Sequence, residues 1–283
     1  MHLSDSDPPG VVRVRADNPS PLTLDGTNTY VVAGWVLDPG PQDPRHLDAV
    51  IEAAGGAVEG IALTHSHADH SEGAESLALR AGGVPVVSPG DGDQVGPFRA
   101  LATPGHSPDH VCLLVEDDPK DSASVPNPSG DSKDSASVPN PSGGICFTGD
   151  TVLGRGSVFI APGEGSLTAY LVSLRRLRAL DLEVLCPGHG PYVWDPAAKL
   201  DSYLHHRLER ERLLVEALDA GARTEEELLD RAWSDASADL RPAAALTLRA
   251  HLEKLAEEER LPGGMTIGGA PSASSPATPR SRS

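Results

Sequence analysis

The chain has 283 residues, 39% hydrophobic and only 4% aromatic, enough for one large domain and a small one packed mainly by Ala, Val and Leu. With 23 Lys and Arg against 41 Asp and Glu, its formal charge of -18 argues against tight nonspecific binding to phosphate backbones or anionic membranes, though not against a local basic groove. No apolar run approaches the roughly 20 residues of a membrane span, no leader is visible before Gly10, and Cys112, Cys146 and Cys186 are expected as buried free thiols of a cytoplasmic protein.

Val11 to Arg15, Thr29 to Val32 and Trp35 to Leu37 are short, β-branched-rich runs broken by Gly and Pro, and are predicted as strands. Asp43 to Ala54 has helical spacing and stops at Gly55-Gly56. Gly60 to Leu63 is an apolar strand running into "THSHADH", and Ser71 to Arg80 reads as the helix beyond it. Val84 to Val87, Phe98 to Ala102, Val111 to Val115 and Ile145 to Phe147 are further strands. Between the last two, "KDSASVPNPSG" occurs at Lys120 to Gly130 and again at Lys133 to Gly143. Such a Ser/Pro/Asn-rich unit cannot bury an apolar face, so residues 118–144 are expected to be a disordered hairpin-tip insertion. Its cost is small because loop-closure entropy grows only logarithmically with length.

Leu167 to Leu180 is an amphipathic helix, followed by a strand at Glu183 to Cys186 and the turn "PGHGP". From about Tyr203 the pattern turns wholly helical, with Tyr203 to Ala220, a helix opening at Thr224 and Ala244 to Arg260. Thr224 with Glu227 three residues on has the form of a capping box. The expected division is a catalytic domain over 1–200, a small helical domain over 201–262 and a disordered tail over 263–283.

The chemistry concentrates in Thr64-His65-Ser66-His67-Ala68-Asp69-His70, four potential metal ligands in six positions between a strand and a helix. His65 and His67 are two apart, so an extended backbone projects both rings to one side. Asp69 and His70 fall where the chain begins to coil and can face a second point. Imidazole with carboxylate suits zinc, and also iron or manganese, better than calcium.

"HSHADH" resembles the H-x-H-x-D-H signature of the metallo-β-lactamase superfamily. "TPGHSPDH" (Thr103 to His110), "FTGD" (Phe147 to Asp150) and "PGHGP" (Pro187 to Pro191) resemble its later motifs, in the correct order and each at a strand end. The resemblance implies an α/β fold, a four-layer αββα sandwich, and a site for two divalent metal ions, expected as Zn²⁺. His65, His67 and His106 would hold one ion, Asp69, His70 and His189 the other, with Asp150 bridging. Asp38, ending "WVLD", resembles a family aspartate beneath the histidine loop, and His110 is expected behind the ligands rather than among them. Two cations about 3.5 Å apart would bind a bridging hydroxide as nucleophile, with Asp69 handling its proton. Aspartate rather than a thiolate at the fourth motif favours the glyoxalase-like and ribonuclease-like branches and leaves β-lactam hydrolysis a minor alternative.

"LDGTNTYVV" (Leu24 to Val32) and "HHRLERERLL" (His205 to Leu214) resemble the lactamase-β-like-2 group, and the helical tail resembles that group's winged-helix-like domain, ending in a helix and a short strand. The group includes thioester hydrolases and single-stranded-RNA endonucleases. Residues 205–262 hold 9 basic and 14 acidic side chains, which lacks a nucleic-acid footprint and favours a small ester or thioester. Single-stranded RNA stands as the alternative substrate, and a metal-holding scaffold without catalysis as a third reading. Arg207, Arg210 and Arg212 are expected to form ion pairs with Glu209, Glu211 and Glu216 on one helix face rather than to meet an anionic substrate.

Overall fold

The computed structural model describes residues 6–115 and 143–262. The expected insertion over 118–144 therefore lies outside the described residues, apart from Gly143 and from Gly144, which is the first residue of a strand rather than part of the insertion. The expected tail and the short strand expected after the last helix lie outside them too.

Two five-stranded sheets form the centre. The first contains β1 (Val11–Arg15), β2 (Asn28–Val32), β3 (Trp35–Leu37), β4 (Gly60–Ala62) and β5 (Val86–Val87), in that order across the sheet. The second has the order β10 (Leu182–Pro187), β9 (Gly144–Gly149), β8 (Val111–Val115), β7 (Phe98–Ala102) and β6 (Gln94–Val95). Strands alternate their side chains between faces, so each sheet has an inner and an outer apolar surface here. Tyr30, Leu37 and Ala62 of the first sheet meet Phe98, Leu113, Phe147 and Cys186 of the second in one buried cluster. Fully burying a side chain such as Phe147 stabilises the fold by about 1.5–3 kcal/mol.

The outer face of the first sheet packs Val36 and Ile61 on helices α1 (Pro44–Ala53) and α3 (Ala74–Arg80), through Leu47, Val50 and Leu77. Between β4 and α3 lies a four-residue helix, α2 (Ala68–Ser71). The outer face of the second sheet packs Cys112, Cys146 and Leu185 on α4 (Leu167–Arg178) and on α5 (Pro196–Asp219), through Tyr170, Leu174 and Leu200. This is the expected four-layer αββα sandwich. The caps follow from the sequence: Asp43, Ser166 and Asp195 accept N–H groups of the first turns of α1, α4 and α5, with Pro44 and Pro196 just inside two of them.

Helix α5 carries the chain onward to α6 (Glu225–Ala232) and α7 (Arg241–Glu257). Its C-terminal half packs Leu214 and Leu218 against Leu228, Trp233, Leu248 and Leu255 in a separate core. The capping box at Thr224 and Glu227 is formed. No helix among the described residues is long and apolar enough to cross a membrane.

Some boundaries differ from the sequence reading. The predicted helix from Ser71 to Arg80 is two pieces broken at Gly73, where a Cβ would stand 2.9 Å from Leu47 Cδ2. Helix α5 begins at Pro196, a full two turns before Tyr203, and β9 extends from Gly144 to Gly149.

Candidate metal centre

Strand β4 brings the "THSHADH" turn to one edge of the sandwich, where Asp38 supports it from beneath. Asp38 sits at φ 49°, a left-handed conformation that costs a non-glycine residue about 1–3 kcal/mol and that Asp tolerates better than most. That conformation aims its buried carboxylate at the turn. Oδ1 accepts the backbone N–H of Thr64 at 2.8 Å. Oδ2 accepts the Thr64 hydroxyl at 2.7 Å and His70 Nδ1 at 2.9 Å. Asp109 Oδ2 accepts the N–H of Ser66 at 3.0 Å and ties the turn to the "TPGHSPDH" loop.

All seven residues read as ligands come together in space. His67 Nδ1 lies 3.0 Å from His65 Nε2 and 2.9 Å from His106 Nε2. Beside this trio, His70 Nε2 is 3.2 Å from His189 Nε2, and Asp69 Oδ2 is 3.2 Å from His189 Nε2 and 3.7 Å from His70 Nε2. Asp150 stands between the groups. Its Oδ1 is 3.4 Å from His70 Nε2 and 3.3 Å from His189 Nε2, while Oδ2 is 3.6 Å from His106 Nε2. The ligand atoms of His65, His67 and His106, and those of Asp69, His70 and His189, each form a set that could hold a metal ion.

The rear face of each ring fixes what its front face offers. His106 Nδ1 meets the carbonyl of Phe159 at 3.2 Å and His189 Nδ1 that of Gly26 at 3.4 Å; a carbonyl only accepts, so both Nδ1 atoms carry hydrogen. His70 Nδ1 carries hydrogen for the same reason, against Asp38. The Thr64 hydroxyl gives its hydrogen to Asp38 and so must accept one from His65 Nδ1, 2.9 Å away. In the neutral rings, four bare Nε2 lone pairs thus converge, with Asp150 Oδ1 buried 3.3–3.4 Å from two of them and, among the described residues, without a hydrogen-bond donor. Lone pairs about 3 Å apart repel unless a cation lies between them, and such outward hydrogen bonds are how proteins orient imidazole ligands.

The electrostatics agree. Burial and the neighbouring imidazoles push His65 far below its ordinary pKa, and burial does the same to His106. Burial also opposes charge on His70 and His189, but Asp150 and Asp38 outweigh it at the first and Asp150 and Asp69 at the second, which rises to about 9. The carboxylates therefore call for positive charge at this point, and a metal ion can replace the protons that would otherwise supply it.

His110 packs behind this cluster, its ring 4.8 Å from that of His65, with both ring nitrogens engaged elsewhere than at the converging ligand atoms. Its Nε2 accepts the N–H of Asp150 at 3.1 Å, its Nδ1 meets the hydroxyls of Thr103 and Thr151, and burial drives its pKa down to about 3. The left-handed Gly149 allows the close approach: a Cβ there would lie 2.6 Å from Thr64 Oγ1 and 2.8 Å from His110 Nε2.

Several supporting residues were not singled out in the sequence. Asn28 Nδ2 donates to the carbonyls of Pro187 and Gly190, and Tyr30 donates to that of Pro187, so β2 holds the His189 loop. The quoted "GTNTYVV" contained both residues, but nothing in it showed their reach of over 150 positions. The helix-face expectation for the arginines needs correction. Only Arg212 pairs with Glu209 and Glu216. Arg210 pairs with Asp235, and buried Arg207 donates instead to Ser157 Oγ and the Val158 carbonyl. Glu211 is taken by Lys254 and Arg260. Long side chains reach partners across the helical packing that helix periodicity cannot reveal.

A family model described as the metallo-beta-lactamase superfamily matches residues 22–189, more than half of the chain, which belongs to that superfamily and is a hydrolase-type enzyme of its fold. A second model, the beta-lactamase associated winged helix domain, matches residues 224–261. The chain is 27% identical over 290 residues to the beta-lactamase-like protein 2 homolog of Drosophila melanogaster, covering 89% of each. It is 28% identical over 268 residues to an Aspergillus fumigatus protein named atrochrysone carboxyl ACP thioesterase, covering 82% of this chain and 76% of the relative. Among solved structures it is similar to a beta-lactamase domain protein from Burkholderia ambifaria, with TM-score 0.68 and 18% identity over 89% of this chain and 88% of the other. A metallo-beta-lactamase family protein from Thermus thermophilus gives TM-score 0.63 and 23% identity over 89% and 94%. Those two likenesses speak to the fold.

Proposed function

We propose that the chain hydrolyses a thioester of a small acyl substrate with two divalent cations, taken as zinc, which this nitrogen and oxygen set suits as it also suits iron or manganese. His65, His67 and His106 would hold one, Asp69, His70 and His189 the other, and Asp150 would lie between. The converging bare Nε2 atoms and the unpartnered Asp150 Oδ1 fit such ions. When bound, they would activate water near neutral pH and polarise an acyl oxygen. Asp69, half-buried at the edge of the cluster and 3.2 Å from His189 Nε2, would take a proton and return it to the leaving group.

The observation that carries the substrate class is a cavity of about 390 Å³ between the sandwich and the helical domain. Its walls include Leu24, Leu153, Val158, Phe159 and Trp233. It abuts the cluster, because the carbonyl of Phe159 is the one that orients His106. An apolar pocket of this size suits an acyl or aromatic group rather than a polymer backbone. The printed name of the Aspergillus fumigatus relative supports a thioester in particular.

The test is turnover of acyl thioesters and of single-stranded RNA by the zinc-loaded protein, with Asp69→Ala as control. Thioester cleavage that Asp69→Ala abolishes is expected. Cleavage of RNA with no thioester turnover would overturn the reading.

A further inference from the structure

A second cavity, of about 410 Å³, opens beside the His189 loop and is lined by Arg13, Arg15, Asp25, Arg155, Gly190 and Pro191. Three guanidinium groups thus face one carboxylate in a chain whose net charge is -18. Arg155 pairs with Asp25. Arg13 lies 4.3 Å over the ring of Tyr192, and among the described residues neither Arg13 nor Arg15 has a carboxylate within ion-pair distance. The Asp7 carboxylate nearby is occupied by the Tyr192 hydroxyl and the backbone N–H of Arg13. Arg13 and Arg15 are two apart on β1 and share a face. Holding like charges side by side without a counter-charge is unfavourable unless a ligand supplies one.

The cavity is also tied to the metal centre. Arg15 stands opposite Asn28 in the β1–β2 ladder, and Asn28 holds the Gly190 carbonyl. Asp25 and Gly190 are each one residue from an atom that positions or belongs to His189, namely the Gly26 carbonyl and His189 itself. Arg155 lines both this cavity and the apolar one, so the two adjoin. The apolar one is walled largely by apolar side chains, its Arg207 and Arg210 being engaged by Ser157, Val158 and Asp235. The arginine-lined one offers guanidinium forks, the groups that match phosphate oxygens two at a time.

We infer that the Arg13–Arg15–Arg155 cavity binds a phosphate group on the thiol arm of the substrate, so that the substrate class is thioesters of phosphorylated pantetheine. This rests on the thioester reading above. The phosphate could belong to free coenzyme A or to the arm of a carrier protein, and the same chemistry recognises either.

The experiment compares one acyl group carried on N-acetylcysteamine, on coenzyme A and on a phosphopantetheinylated carrier protein. The readout is the ratio of kcat/KM for each phosphorylated substrate to that for the N-acetylcysteamine thioester. In Arg15→Ala, whose side chain is exposed and whose loss spares the core, this ratio falls about tenfold, through KM, for loss of a charge-assisted contact. Arg15→Glu lowers it further, and the Arg155→Ala variant lowers it too. A fall with the coenzyme A ester identifies the free cofactor; a fall with the carrier-protein ester alone identifies the tethered arm. Equal ratios in wild type and variants overturn the inference while leaving the thioester reading standing. No thioester turnover at all, with RNA cleavage that Arg15→Ala slows, overturns both.

Discussion

Asp38→Asn tests whether the site is built through imidazole tautomers. The replacement is nearly isosteric, and one of its atoms must still accept the backbone N–H of Thr64, which cannot reverse. That fixes the amide orientation and places the new NH₂ where Oδ2 accepted hydrogens from Thr64 Oγ1 and His70 Nδ1. Both contacts must now run backwards. Nδ1 of His70 becomes an acceptor and its proton moves to Nε2, the atom 3.2 Å from His189 Nε2. The Thr64 hydroxyl, now receiving from the amide, turns its hydrogen to His65 Nδ1 and sends that ring's proton to Nε2 as well. One substitution thus places a proton on a candidate ligand atom in each half of the site. Changes to such supporting partners cost about 10–100-fold in metal affinity, or about 1.4–2.8 kcal/mol. Zinc titrations against a competing chromophoric chelator measure this, and histidine nitrogen shifts of the zinc-free protein report the tautomers. Wild-type zinc affinity together with hydrogen still on Nδ1 of His65 and His70 would refute the reasoning.

Asp69→Asn is expected to lower kcat by about 10²–10⁴-fold at saturating zinc. Metal analysis must show the ions retained, and full activity in that state would remove Asp69 from proton transfer. Stripping the metal with a chelator should lower the Tm, since free metal at 100 times its Kd contributes about 2.7 kcal/mol. Re-adding zinc should restore it, and an unmoved Tm would contradict the converging lone pairs. In the helical domain, His251 is fully buried with neither ring nitrogen partnered among the described residues, and burial together with Arg207 and Lys254 lowers its pKa to about 3. The folded state therefore refuses a proton that the unfolded chain takes up below about pH 6.5. Stability from this group is full above that pH and falls by about 1.4 kcal/mol per unit as pH drops towards 3. His251→Leu should flatten the pH dependence of the unfolding free energy from urea titration by about 1 kcal/mol between pH 6 and 5; an unchanged slope would show that His251 titrates normally.

How much of this was legible in the sequence depends on how far each signal had to travel. His65, His67, Asp69 and His70 share one turn, and the residues joining them from elsewhere each sit at a strand end in a short Gly- or Pro-marked motif. Residue type and spacing therefore sufficed to nominate the four in the turn, while His106, Asp150 and His189 were added by the order of the motifs in the family the chain resembles. Strands such as Val111–Val115 declared themselves because they are buried on both faces and read as apolar runs. The two-residue β6 left no such pattern, being half exposed and too short for any period. Helix α5 starts two turns earlier than its reading from Tyr203, at the N-cap Asp195 and the N1 Pro196, and its first turns bury Pro196, Leu200 and Tyr203 on one face. The supporting network was hidden for a different reason. Asn28 acts on carbonyls beyond position 186, His106 leans on the carbonyl of Phe159, and Arg207 spends its charge on Ser157 and Val158. A backbone carbonyl has no residue identity to read, so such a contact leaves no trace at the accepting position. The same limit applies to the arginine cavity: Arg13 and Arg15 look like the outward face of an edge strand until the fold sets Arg155 and Gly190 against them. The histidine-rich turn can be nominated from residue chemistry and its distant partners from motif order, but the tautomers that would make them ligands, and the charge that would hold a substrate's far end, are properties of the closed chain.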